Sequence, residues 1–347
     1  MNRKVYVGLS GGVDSSVTAL MLLNQGYEVT GVFMKNWSQD LPGFDCPWKE
    51  DYQDAKRVAV HLGIPFKMYD FETEYRDKVV QYMLDEYMAG RTPNPDIMCN
   101  QEIKFKLFLE TALNDGADMI ATGHYSRIKD GKLLTAKNIA KDQSYFLYRI
   151  TEQSIRRSIM PIGEFNTKDE VREIAREYNL PTANKKDSQG ICFVGKVGIK
   201  EFLHQFVETS PGKVVDENSR EIGVHDGAIF YTIGQRHGLN IGGGLPYYVV
   251  GKDMAKNEVY VTTKLDDSRL WLNDITVTDV HWINGQPDIS REYQIRTRYR
   301  APLVTCTISP HERGLNIKLS EEVRAITPGQ SAVIYDGEHV LGGGIVV

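Results

Sequence analysis

The sequence is short of several things, and each shortage removes a class of protein. No apolar run approaches the roughly 20 residues needed to cross a bilayer, so no membrane span is expected. The four cysteines, Cys46, Cys99, Cys192 and Cys306, include no CxxC pair, which argues against a zinc knuckle or ribbon. The eight histidines are scattered, with no HExxH pair. There is no internal repeat and no low-complexity tract. An excess of positive charge is missing too: a net charge of −5 over 347 residues does not advertise a nucleic-acid partner. Charge is nevertheless uneven, with 13 Lys/Arg against 8 Asp/Glu between Arg127 and Lys186, and four Arg against one Glu from Arg291 to Arg300. A local basic face can bind RNA on an acidic chain, although charge alone equally describes a solvated surface. The opening MNRKVYVGLSGG enters its first strand at once. That leaves no room for a signal peptide, and a cytoplasmic protein is expected. In that compartment structural disulfides are disfavoured. Each cysteine is then a buried small hydrophobe or a reactive thiol.

What is there begins with VYVGLSGGVDSS, from Val5 to Ser16. An apolar strand turns through two adjacent glycines into a helix. Glycines let the backbone fold back and approach a ligand closely. The helix start offers unpaired N–H groups and a positive dipole end, which suit a pyrophosphate. Ser10, Ser15 and Ser16 add hydroxyls, and Asp14 is placed to steer a Mg²⁺ ion. No GK[ST] follows and no GxGxxG is present, so neither the Walker A loop nor the dinucleotide fingerprint applies.

Further along, apolar strands alternate with helical periodicity as far as about residue 207, which implies an α/β domain with a doubly wound parallel sheet. Thr122-Gly123-His124-Tyr125 leaves a strand at the carboxyl end, where open sheets bind ligands. Asp130-Gly131 marks a hairpin, and Thr167 with Glu170 a capping box. The two prolines of Arg91–Asn100 predict an irregular stretch around Cys99, and DSQGICFVG a second around Cys192. After about Ser210 short strands follow one another, among them Ala228–Tyr231 and Tyr293–Tyr299, and Arg296, Arg298 and Arg300 alternate so as to project to one face. The expected units are residues 1–207, a nucleotide-binding catalytic domain; 208–272, a small β-rich domain; and 273–347, a terminal β-barrel. Cys306 alternates within a barrel strand and reads as core. Cys99 follows a carboxylate closely, and Cys192 follows Lys185-Lys186, whose charge would favour thiolate. Two thiols meeting over a nucleotide site suit sulfur transfer.

The loop resembles the PP-loop of the ATP pyrophosphatases. The wider set GLSGGVDSSV, TPNPDIMCNQEIKF, ATGHY, KDQSYFL, DSQGICFVG, YTIGQRHGL and RTRYR resembles the bacterial tRNA-specific 2-thiouridylases over nearly the full chain. This resemblance implies an enzyme that uses ATP and Mg²⁺ to thiolate C2 of a tRNA wobble uridine in the anticodon region. Sulfur would come from a persulfide-donating relay protein or a cysteine desulfurase. It implies that Gly8, Leu9, Ser10, Gly11, Gly12, Val13, Asp14 and Ser15, with Met34 and Gly123, hold ATP. Asn94, Pro95 and Asp96 would meet the base. Cys99 would be the partner thiol, Cys192 the persulfide carrier, and Asp96 a further catalytic group. His124, Lys141, Asp142, Gln143, Arg298, Tyr299 and Gln330 would contact tRNA. The segment Asn36–Glu50 departs from the pattern, being rich in Trp and Pro, and its Cys46 has no assigned role. An amide-forming PP-loop synthetase of the GMP, NAD or tRNA-lysidine type shares the loop without needing paired thiols. A nucleotide-binding protein without catalysis shares the fold. A cluster held by three scattered cysteines has no support from spacing.

Overall fold

The computed structural model describes residues 3–40, 46–186, 198–239, 241–242, 244 and 246–347. Cys192 and its DSQGICFVG stretch lie outside the described residues. The N-terminal sheet is built from β1 (Lys4–Gly8), β2 (Glu28–Lys35), β3 (Phe66–Asp70), β4 (Met119–Ala121) and, pairing later, Ser158–Ile159. Strand order is β3-β2-β1-β4 and then Ser158–Ile159, all parallel. The order reverses between β1 and β4, so the crevice beyond their carboxyl ends is where such a sheet receives a ligand. Val5 and Val7 are fully buried, as a strand covered on both faces requires. Helix α1 (Val13–Asn24) has Ala19 and Leu22 against the sheet and α2 (Trp48–Leu62). Its Val13, Val17 and Leu20 pack on Val171 and Ala175 of the helix Lys168–Glu177.

The expected irregular stretch at Cys99 is corrected. Pro95–Met98 is a short helix with Asn94 at its N-cap position, though without a side-chain capping bond, and Pro95 at its first position; it runs on into a π-helical segment, Cys99–Leu107. At that position the fixed φ of proline suits the helix and the missing N–H is no loss. π-Helical turns are frequent at functional sites.

A four-stranded sheet follows, formed by Gly212–Val215, Glu221–His225, Tyr248–Asp253 and Glu258–Thr262. The expected strand Ala228–Tyr231 is instead a 3₁₀ turn with all four side chains buried. A short apolar run reads alike for a strand and for any buried segment. Six strands then close a barrel: Trp271–Trp282, Gly314–Arg324, Val304–His311, Tyr293–Arg296, Ser331–Asp336 and His339–Val346 in spatial order, the last pairing back to the first. The hairpin Ser126–Lys129/Lys132–Thr135 of the N-terminal part extends this barrel sheet through His339 opposite Leu134.

The strand expected to carry Arg296, Arg298 and Arg300 on one face ends at Arg296. Arg298 and Arg300 are exposed in the turn beyond, where Arg300 takes a φ of +63°. Arg296 points inward, 3.3 Å from the carboxylate of Asp142. Removing one member of a buried pair strands the other. Arg296→Ala is expected to lower unfolding stability by about 3–5 kcal/mol in urea titrations. Adding Asp142→Asn should restore part of that loss; additive losses would show that the pair is not coupled.

Candidate nucleotide and thiol site

The loop after β1 is shaped by close approach. Gly11 has a φ of +75°, and a Cβ there would lie 2.5 Å from the carbonyl oxygen of Asp51. A Cβ on Gly123, beyond β4, would lie 2.8 Å from Ser15 N. A Cβ on Gly8 would touch Met34 Cε at 3.0 Å. The residues expected to hold ATP from β1, β2 and β4 therefore do converge. Leu9 and Val13 are buried, and Leu9 N donates to Val32 O, so Leu9 serves the loop by packing. Ser10 N donates to Ser15 Oγ at 3.2 Å, and Ser16 N starts the helical ladder on Gly12 O. The amides of Val13, Asp14 and Ser15 precede that ladder and face the crevice mouth as a helix N-terminus does. This narrow, amide-lined cradle fits nucleotide phosphates.

Asp14 does not stand ready for a metal. Both its carboxylate oxygens accept from Lys168 Nζ at 2.7 Å, and Oδ1 also accepts from the Tyr125 hydroxyl at 3.0 Å. The cation beside the loop in this structure is a lysine. Among the described residues no group of three His, Cys, Asp or Glu could hold a metal ion. Lys168 escaped the sequence reading, yet it left a signal. It is the first residue of a helix, where a cation opposes the dipole and needs another reason to be there. Lys185 is likewise engaged, donating to Asp51 and Asp54 at 2.7 and 2.6 Å. It thereby ties the chain after Pro181 to α2.

Cys99 is 1% exposed, at the head of the π-helical segment. Asp96, half-buried, precedes it by three residues and so lies on the same helix face. Further along the segment, Phe105 rests 5.6 Å from the His124 ring. Asn100 donates to Phe146 O and Arg149 to Gln101, joining this helix to the KDQSYFL stretch. Of the other cysteines, Cys306 is a core thiol whose pKa burial pushes up to about 12. Cys46 is half-buried, with its thiol 3.6 Å from Trp37 O.

Two residues expected to face RNA are buried. His124 is 9% exposed, and its Nδ1 meets Thr122 Oγ1 at 2.8 Å. Asp142 is 2% exposed and accepts from Ala136 N, Ser144 N and Oγ, and Arg296. Gln143 grips Tyr125 from both sides, its N–H on Tyr125 O and its carbonyl oxygen on Tyr125 N. Lys141 is partly exposed. Arg298 is exposed, while Tyr299 stacks 4.4 Å from Phe146. Both line a groove of about 500 Å³ with Trp271, Arg300 and Arg324, together with Glu321 and Glu322. Gln330 donates to the carbonyls of Thr92 and Pro93.

This is an α/β protein of the HUP class, with an anion-binding loop at the sheet's switch point, followed by two β units. Family profiles agree: "tRNA methyl transferase HUP domain" matches residues 3–196, "tRNA methyl transferase PRC-barrel domain" 200–263, and "Aminomethyltransferase beta-barrel domain" 272–346. Full-length relatives narrow the family. The tRNA-specific 2-thiouridylase MnmA of Bacillus subtilis is 49% identical over 99% of this chain and 95% of its own. That of Nitrosomonas europaea is 46% identical over 100% and 99%. One from Geobacillus kaustophilus is 47% identical over 99% and 94%. The chain belongs to the family of tRNA-specific 2-thiouridylases.

Burial, and then the charge of Lys104, hold the His124 imidazole well below its ordinary pKa. The unfolded chain therefore binds a proton that the folded one refuses. The stability this represents is complete above the unfolded pKa of about 6.5 and is lost as pH falls below it. Burial lowers His225 and His281 too, so the contrast must be made by substitution. His124→Gln should lose less stability than the parent between about pH 7.5 and about pH 5.5 in urea titrations. Equal losses would refute a buried neutral His124.

Proposed function

We propose that this protein replaces the C2 oxygen of the wobble uridine of certain tRNAs with sulfur, consuming one ATP. The observation that carries this reading is the anion cradle after β1, tight enough that Gly11 and Gly123 admit no side chain. It belongs to a chain aligned end to end with relatives named for that activity.

A uridine C2 oxygen leaves poorly as hydroxide. In the proposed reaction it attacks the α-phosphorus of ATP, and the bond from that phosphorus to the bridging oxygen breaks. Pyrophosphate departs into the first turn of α1, where backbone amides and Lys168 oppose its charge. A persulfide on Cys192, charged by a relay protein or a cysteine desulfurase, supplies the sulfur. By one route its terminal sulfur attacks C2, and the Cys99 thiolate then attacks the Cys192 sulfur. By the other, Cys99 attacks first, and the released hydrosulfide adds to C2. Either way a C–S bond forms, AMP leaves with the original oxygen, and Cys99 and Cys192 end as a disulfide that must be reduced before the next turnover.

Asn94, Pro95 and Asp96 meet the base, which has to leave its stack to reach them. Asp96 orients it or carries its proton. The groove with Arg298, Tyr299, Arg300, Arg324 and Trp271 offers cations for phosphates and rings for bases. A Mg²⁺ ion would sit with the nucleotide's phosphates beside Asp14, whose carboxylate Lys168 holds in place.

Unmodified tRNA incubated with the protein, ATP and a persulfide donor should yield 2-thiouridine by nucleoside mass spectrometry. ATP turnover indifferent to both tRNA and persulfide would overturn the reading. Cys99→Ser and Cys192→Ser should each abolish the product while tRNA still binds. Wild-type yield from either variant removes that thiol from the mechanism. Lys168→Ala should slow tRNA-dependent pyrophosphate release by about 100-fold; unchanged release would make Lys168 merely structural.

A further inference from the structure

We propose that the barrel turn at residues 327–330 is part of the active-site framework, with Gln330 a positioning residue for the helix that carries Asp96 and Cys99. The inference rests on the thiolation chemistry above for its catalytic consequence, but its geometry stands alone.

Thr92 and Pro93 lead directly into Asn94, the cap of that helix. Thr92 N donates to Pro328 O at 2.8 Å. Gln330 Nε2 donates to Thr92 O at 2.8 Å and reaches Pro93 O at 3.4 Å. One barrel turn thus satisfies both main-chain groups of Thr92 and turns toward the carbonyl of the next residue. The approach is close enough to demand glycine. Gly329 has a φ of +90°, and a Cβ on it would lie 2.8 Å from Thr92 N and 2.9 Å from Arg91 Cβ.

The turn is itself tied to the barrel, because Gly329 N donates to Val346 O and Val346 N to Gln330 O, both at 2.9 Å. The next residue braces the other flank. Ser331 O accepts from the Tyr145 hydroxyl at 2.8 Å, and Ser331 Oγ meets the Tyr148 hydroxyl at 3.1 Å. Between those tyrosines, Phe146 O accepts from Asn100, the residue after Cys99. Barrel residues from 327 to 331 therefore hold the chain just before Asp96 and the chain just beside Cys99.

The regular helix is only four residues long before the π-helical segment. So short a helix has little stability of its own, and its neighbours set its direction. Misplacing a reacting group by about 1 Å costs up to about 100-fold in rate. The barrel consequently sets catalytic geometry before any RNA arrives, besides offering RNA a surface.

Gln330→Ala and the volume-conserving Gln330→Met provide the test. Single-turnover thiolation at saturating tRNA should fall about 10- to 100-fold in both, with tRNA affinity nearly unchanged. In the free protein, hydrogen exchange should quicken at the amides of residues 92–100 and stay level in the barrel strands. Gln330→Glu sets its carboxylate against two carbonyls, so its rate should be lowest at neutral pH and recover as acid restores a donor. A loss confined to tRNA affinity, with exchange unchanged, would overturn the proposal and leave Gln330 an RNA contact only. The exchange measurement needs neither ATP nor tRNA, so its outcome does not depend on the thiolation reading.

Discussion

A single buried carboxylate holds the protein in one arrangement. Asp142 accepts hydrogen bonds from Ala136 N, Ser144 N and Ser144 Oγ within the N-terminal part, and from Arg296 of the barrel. An uncompensated charge at such a depth costs several kcal/mol, so no one partner can be withdrawn cheaply. The barrel is thereby bound to the segment that grips Tyr125, and Tyr125 in turn donates to Asp14 in the nucleotide loop. The β-hairpin from the N-terminal part, added to the barrel sheet, runs alongside the same link.

From that junction two kinds of precision reach the site. One is steric: at Gly11 and Gly123 the backbone comes so near Asp51 and Ser15 that neither position admits a side chain. The other is electrostatic: Lys168 neutralises Asp14, so no net negative charge stands at the first turn of α1.

Much of this was legible in the residues. Strands β1 to β4, α1, the capping box at Thr167 and the Asp130-Gly131 hairpin emerged as expected, because period, cap and turn are local properties. The glycine loop was legible for the same reason. Other features were not. Pro95 looks alike whether it breaks a helix or begins one, and only the packing around Ile97 and Cys99 decides. Arg296 read as one of three alternating surface arginines until its strand proved to end there, with a carboxylate waiting inside. Ala228–Tyr231 had a strand's composition but a buried turn's surroundings.

By itself the sequence determined the α/β order, the glycine loop after β1 and the β-rich tail. Each of these depends on residues close together in the chain. The tertiary structure decided which charges meet. Lys168 reaches Asp14 across 154 residues, Arg296 reaches Asp142 across another 154, and Gln330 reaches Thr92 across 238. Such pairings leave no period in the sequence, because a lone Lys, Arg or Gln is equally at home in solvent. Packing of α1 against the helix Lys168–Glu177 makes the first pairing, and packing of the barrel against the N-terminal part makes the other two.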